Sequence, residues 1–131
     1  MRGASKNTRS RDTRADGIAA DLRRLLAGDV EFDDISRALY ATDAGLNQML
    51  PLGVVAPRDA EDVVRLVEYA AAHDLALVPR GMGSGLAGGA VGAGVHVDFT
   101  RYMNRILEVA PDGSWARVQP GVVMAWMNRE L

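Results

Sequence analysis

The stretch GVVAPRDAEDVVRLVEYAAAHDLALVPRGMGSGLAGGA, residues 53–90, decides the fold. Gly53-Val54-Val55-Ala56 is a short apolar run, and Pro57, which has no N–H to give to a ladder, stops it. Asp59 comes next as a helix N-cap, with Asp62 three residues on in an imperfect capping box. Val63, Val64, Leu66, Val67 and Ala70 recur at helical spacing and predict a wide apolar face that ends at His73 and Asp74. Leu75-Ala76-Leu77-Val78 then reads as a second buried strand. Strand, helix and strand at this spacing predict a βαβ unit whose two strands lie parallel.

The segment after the second strand carries the chemistry. Half of the 14 glycines fall between Gly81 and Gly94. Glycines at this density permit positive φ and let backbone N–H groups converge on one point, which is what a phosphate or pyrophosphate requires. The nucleotide-binding P-loop is excluded, because it needs Gly-Lys-Ser/Thr and the chain's one lysine is Lys6. Gly83-Ser84-Gly85-Leu86-Ala87-Gly88 matches the dinucleotide fingerprint G-x-G-x-x-G and stands after a strand. That fingerprint must open a helix, however, and here Gly88, Gly89, Gly92 and Gly94 come next, at about 1 kcal/mol each against a helix. Two readings survive from the glycines alone: a strand–loop–strand phosphate cradle and a tight irregular turn.

Outward from this centre, Ile18, Leu22, Leu25 and Leu26 share one helical face, with Asp16 to cap its start and Gly28 to end it. A short helical pattern runs near Ile35 to Tyr40, and Ala41 to Pro51 reads as a connector. Downstream, Val95-His96-Val97-Asp98 alternates, and Ile106–Val109 and Trp115–Gln119 flank Pro111-Asp112-Gly113 as a hairpin. Pro120-Gly121 breaks the chain before a helix begins near Val123. Parallel pairing first and antiparallel pairing later predicts an α+β fold: a βαβ unit, then a Gly-rich loop, then short antiparallel strands. The last helix carries Val123, Trp126, Met127 and Leu131 on one face and no stop signal, so truncation at the C-terminus is expected. Residues 1–15, basic and polar, are expected to be a disordered leader, with the domain over 16–131.

Composition excludes several classes. Net charge is −2 and no basic stripe interleaves with aromatics, which argues against nucleic acid. Without cysteine there is no disulfide, thiolate metal site or cysteine nucleophile. No apolar run is long enough to span a bilayer and no secretory signal is present, so a cytoplasmic location is expected. A lone histidine is not a metal site. His73 is expected to serve a helix C-terminus, and His96 to face the surface or a loop. Asp43 can cap a turn or hold the glycine loop, and Arg80 can pair with a phosphate or brace the loop.

Pro79-Arg80-Gly81-Met82-Gly83-Ser84-Gly85-Leu86-Ala87-Gly88-Gly89 resembles the pyrophosphate loop of FAD-linked oxidases of the vanillyl-alcohol oxidase type. The resemblance is nearest to the glycolate oxidase and D-lactate dehydrogenase branch. It runs from about Tyr40 to Leu131 and includes Pro57 with Asp59-Ala60-Glu61-Asp62-Val63, Asp98 with Met103-Asn104-Arg105-Ile106, and Val118-Gln119-Pro120-Gly121-Val122. It implies the first subdomain of a type-2, PCMH-type FAD-binding domain. It also implies FAD as cofactor, its pyrophosphate wrapped by Pro79, Arg80, Gly81, Met82, Gly83, Ser84, Gly85, Leu86, Gly88 and Gly89, and bordered by Pro120, Gly121 and Val122. Members with covalent flavin often have histidine where Ser84 stands, so the resemblance implies non-covalent FAD. Met82 departs from the glycine or alanine usual at its place. The activity implied is oxidation of a 2-hydroxy acid of the D-lactate, glycolate or 2-hydroxyglutarate type, with FAD and that small acid as partners. The matching residues supply no catalytic base and no metal. The other readings are a nucleotide- or phosphate-binding module without redox activity, and a truncated product without function.

Overall fold

The computed structural model describes residues 5–130, with side chains described over 13–129. The elements in order are α1 (Ser5–Leu25), β1 (Asp29–Glu31), α2 (Asp34–Leu39), β2 (Gly53–Ala56), α3 (Ala60–Ala72), β3 (Leu77–Arg80), β4 (Val95–Asp98), β5 (Ile106–Val109), β6 (Ala116–Val118) and α4 (Met124–Glu130). Helical backbone already runs through residues 5–15, where the sequence suggests a disordered leader. Neither proline nor glycine lies between Ser5 and Asp16 to stop a helix from propagating backward from its packed end.

One sheet has the order β1-β2-β4-β3, and β5 with β6 form a separate antiparallel pair. β2 and β3 are parallel, as the βαβ pattern predicts, but each pairs with β4, which lies between them. β1 adds to β2 in the antiparallel sense at the edge. The fold is therefore α+β, with the hairpin where Pro111-Asp112-Gly113 places it.

Register and pleat sort the side chains. Val95 and Val97 share a face with Val55, and α1 and α3 cover that face through Ile18, Leu22, Leu26 and Leu66. Enclosing Leu22 and Leu66 completely contributes about 1.5–3 kcal/mol each. The α3 apolar face is narrower than its sequence suggests, for Val64 and Val67 stay about half exposed. Val54, His96, Asp98, Val78 and Arg80 point to the other face.

Asp62, in the first turn of α3, is enclosed and does not complete a capping box. Asp59 caps the helix by accepting from the Asp62 N–H, while the Asp62 carboxylate accepts from Ala27, Gly28 and Arg58 N–H at 2.8–3.0 Å. It thereby fastens the end of α1 to the start of α3.

Candidate cofactor site

β3 and β4 are parallel neighbours, so the chain must cross back between them, and residues 81–94 make that crossover without a helix. The crossover leaves the carboxyl end of β3, the end of a sheet where open α/β folds collect ligands. Gly81, Met82, Ser84, Gly85, Leu86 and Gly89 are exposed along it, and Gly83 and Gly88 are half-buried with φ of +67° and +77°. Pro79 and Arg80 end β3 at its base.

Among the described residues, no protein group accepts a hydrogen bond from any backbone N–H between Gly81 and Ala90. Buried backbone donors are almost always paired, and a run of free ones belongs on an open ledge facing a ligand or solvent. Apart from their immediate chain neighbours, Gly85 and Gly89 have no atom within 4 Å of where a Cβ would stand, and neither has positive φ. Nothing inside the protein demands glycine at these two places. Free donors and vacant space together fit the pyrophosphate of FAD, whose negative charge the N–H groups would meet.

Pro120, Gly121 and Val122 come after β6 in a turn. The Pro120 carbonyl oxygen lies 4.0 Å from the ideal Cβ position of Gly81, so the two motifs named from the sequence meet in space. The turn is held by the Gly121 N–H donating to Met103 O at 2.8 Å and the Val122 N–H donating to Gln119 O at 3.1 Å.

Arg80 braces the loop. Its guanidinium donates to Ala90 O at 3.0 Å and to Tyr40 O at 3.5 Å, and lies 5.2 Å from the Tyr40 ring centroid. The Tyr40 hydroxyl donates to Asp98 Oδ2, and Asp98 Oδ1 accepts from the Thr100 N–H and hydroxyl at 2.7 and 2.6 Å. Burial, the hydrogen bond to Asp98 and the Asp98 charge push the Tyr40 phenol up to about 12. The phenol therefore remains a donor throughout the physiological range.

His96 settles between the two placements expected of it. It is fully enclosed and not at the surface; of the two expected placements it takes the loop-facing one, between Tyr40 and the glycine crossover. Its Nε2–H donates to Gly92 O at 3.1 Å, which steadies the return of the crossover, and its ring meets Tyr40 edge-on. Burial lowers its pKa, opposed by the Gly92 hydrogen bond and assisted by the Arg80 charge, so the ring is held neutral. His73 caps α3 and stacks on Tyr69 with centroids 4.0 Å apart.

The described residues contain no group of three or more His, Asp or Glu placed for a metal ion. No described helix is long and apolar enough to cross a membrane. The polar layer of Tyr40, His96 and Asp98 escaped the sequence reading. Its one signal was the alternation of Val95-His96-Val97-Asp98, which puts both polar residues on one face.

Residues 51–131 match the family model described as FAD binding domain, and the chain belongs to that family. FAD is its cofactor. The chain is 38% identical to the D-2-hydroxyglutarate dehydrogenase of Escherichia coli (strain K12) over 107 residues, which are 79% of this chain and 10% of the relative. It is 36% identical over 121 residues to the glycolate oxidase subunit GlcD of Bacillus subtilis (strain 168), 87% of this chain and 26% of the subunit. The chain thus spans about a tenth to a quarter of the length of these relatives. Among solved structures, an alkyldihydroxyacetonephosphate synthase superposes with a TM-score of 0.74 at 23% identity, over 88% of this chain and 26% of the other. A p-cresol methylhydroxylase with substrate bound superposes at 0.69 with 19% identity, over 92% of this chain and 24% of the other. These two establish the fold, that of a PCMH-type FAD-binding domain, and the resemblance stated from the sequence is borne out.

Proposed function

We propose that this chain is the pyrophosphate-gripping part of an FAD-dependent oxidoreductase that oxidises a 2-hydroxy acid. One observation carries the reading: the backbone N–H groups from Gly81 to Ala90 are free, on a ledge where Gly85 and Gly89 leave room for a ligand. In this reading Pro79 and Arg80 fix the base of the loop, Gly81 to Gly89 present donors to the pyrophosphate, and Pro120, Gly121 and Val122 close the adjoining side. Hydrogen bonds to a charged acceptor contribute about 1.5–3 kcal/mol each, so a few suffice to anchor a dinucleotide. When bound, FAD supplies the two-electron acceptor of the reaction. Attachment is non-covalent, since Ser84 offers no imidazole to the flavin and His96 is enclosed with its Nε2–H committed to Gly92. The substrate class is taken from the names of the relatives, which are a D-2-hydroxyglutarate dehydrogenase and a glycolate oxidase subunit.

The test is titration of the protein with FAD, read by flavin fluorescence, then anaerobic addition of glycolate, D-lactate or D-2-hydroxyglutarate to the loaded protein. An open ledge must offset several kcal/mol of lost translational and rotational freedom, so a dissociation constant of about a micromolar or weaker is expected. Bleaching of the flavin band by one of the acids supports oxidation. Saturable binding with no bleaching by any of them favours a binding module without redox chemistry for these residues, and absence of binding overturns the cradle.

A further inference from the structure

We propose that the segment Asp43–Asn47 is the positioning platform of the glycine loop, set in place by the Asp43 carboxylate; this rests on the reading of that loop as a pyrophosphate cradle. Three contacts join the two segments. The Ala44 N–H donates to Gly83 O at 2.9 Å. Gly45 approaches so closely that a Cβ on it would stand 2.6 Å from Leu86 O. The Asn47 side-chain amide lies against Gly88, where an added Cβ would be 2.5 Å from Nδ2. Residues 44, 45 and 47 meet 83, 86 and 88 in that order, so the platform runs alongside the loop over most of its length.

The platform has a fixed shape of its own. The Met49 N–H donates to Ala41 O at 2.9 Å, and Thr42 forms an antiparallel bridge with Gln48, which pinches 43–47 into a tight tip. Within the tip, Asp43 Oδ1 accepts from the Gly45 N–H at 2.8 Å, an Asx turn. That turn aims the Ala44 N–H at Gly83 and brings Gly45 against Leu86. Asp43 Oδ2 is buried and has no hydrogen-bond partner among the described residues. A buried acceptor without a partner opposes folding and calls for a reason. Here the cost falls where the connector meets the loop. The one hydrogen bond that the Asp43 carboxylate accepts among the described residues is from the Gly45 N–H, so it acts through the turn on the loop and is a positioning residue.

Hydrogen exchange and FAD titration test this together on the protein, Asp43→Ala, Asp43→Asn and Gly45→Ala. In the unaltered protein FAD should slow exchange of the Gly81–Ala90 amides; if it does not, the cradle reading fails, and this inference with it. Given that protection, Asp43→Ala should raise the FAD dissociation constant about tenfold, the worth of one hydrogen bond to a charged group. It should also speed exchange of the Ala44 amide while β2 and β4 amides keep their protection. Asp43→Asn keeps an Oδ1 acceptor for the turn and should restore affinity to within about threefold. A loop protected by FAD, with Asp43→Ala binding as tightly as the unaltered protein or Asp43→Asn binding as weakly as Asp43→Ala, overturns the proposal. Should Asp43→Ala not fold, Gly45→Ala decides. Its methyl pushes the platform off Leu86 and should weaken FAD similarly, and unchanged affinity overturns the proposal.

Discussion

Arg80 Nη1 donates to the carbonyl oxygen of Ala90 at 3.0 Å, tying the last residue of β3 to the far end of the glycine run. The loop is therefore closed at its base by a side chain that the sequence leaves free to be either a phosphate ligand or a brace. Nη1 is committed to Ala90 O and Tyr40 O and the guanidinium lies on the Tyr40 ring, so the side chain braces the loop with one nitrogen and keeps the N–H groups of Nε and Nη2 beside Gly83.

Gly83 packs directly on this brace. A Cβ there would lie 2.4 Å from Arg80 Nη2, at a φ of +67° that a β-branched residue rarely adopts. Gly83→Val should therefore expel the guanidinium and distort the loop, at about 1–2 kcal/mol for the backbone alone. Loss of FAD retention, read as flavin absorbance of the purified variant, is the expected result. A variant with normal flavin content would remove the loop from the site.

Asp62 should dominate acid stability of the α1–α3 junction. Burial raises its pKa, but hydrogen bonds from Ala27, Arg58 and Gly28 and the Arg65 charge outweigh this and hold the carboxyl below its ordinary 3.8. A carboxyl lowered by folding stabilises above its unfolded pKa and loses that contribution as pH falls through the folded value. Its share is therefore complete above about pH 4 and fades below that value. Asp62→Asn should cost about 1–3 kcal/mol at neutral pH, because its one amide oxygen can serve Gly28 and Arg58 while the NH2 group faces the Ala27 N–H, and the charge on the acceptor is lost. Urea midpoints of the two proteins should draw together as pH falls below about 4. A gap that persists unchanged into acid would contradict the linkage.

Much of this was legible in the chain. Gly53–Ala56 is a strand over the residues expected, the Asp59 cap is where the sequence puts it, and the hairpin turns at Pro111-Asp112-Gly113. Insertion of β4 between β2 and β3 was not legible. Periodicity says that two strands flank a helix and not which third strand divides them. Whether His96 faces the surface or the loop stayed open for a related reason: alternation marks two faces, and only tertiary packing puts Tyr40 and the crossover over the second. The connector read as turn chemistry, with Asp43 open between capping a turn and holding the glycine loop. Its Asp43-Ala44-Gly45 does form a turn, and the residues that the turn leans on are 39 or more positions away in the chain (Gly83 from Ala44), so local pattern could offer the contact with the loop only as one alternative.

Denaturing the FAD-loaded protein should release all of its flavin. Both histidines of the chain are accounted for: His73 caps α3 with its Nδ1 at 2.8 Å from Tyr69 O, and His96 lies beneath the loop. No imidazole faces the ledge. Precipitation with acid should leave colourless protein, and flavin fluorescence that stays with the pellet would refute non-covalent attachment.

The glycines of the loop should separate by what each one serves. Gly83 and Gly88 have positive φ and lie against Arg80 and Asn47, so the chain itself requires them. Gly85 has neither constraint: its φ is outside the left-handed region, and no protein atom lies within 4 Å of its Cβ position. Alanine at such a place reduces the freedom of the unfolded chain and stabilises a protein by about 0.4–1 kcal/mol. Gly85→Ala should therefore raise the thermal midpoint of the FAD-free protein slightly. Its methyl group would nevertheless project into the space assigned to the cofactor, where even a fraction of an ångström separates an N–H from its phosphate oxygen. Losing one such charge-assisted hydrogen bond, at about 1.5–3 kcal/mol, weakens FAD by about ten- to a hundredfold. Stability and affinity thus move in opposite directions, which no general loosening of the loop can produce. Scanning calorimetry without FAD and fluorescence titration with it give the two readings. Equal FAD affinity for Gly85→Ala and the unaltered protein would place the pyrophosphate elsewhere on the chain.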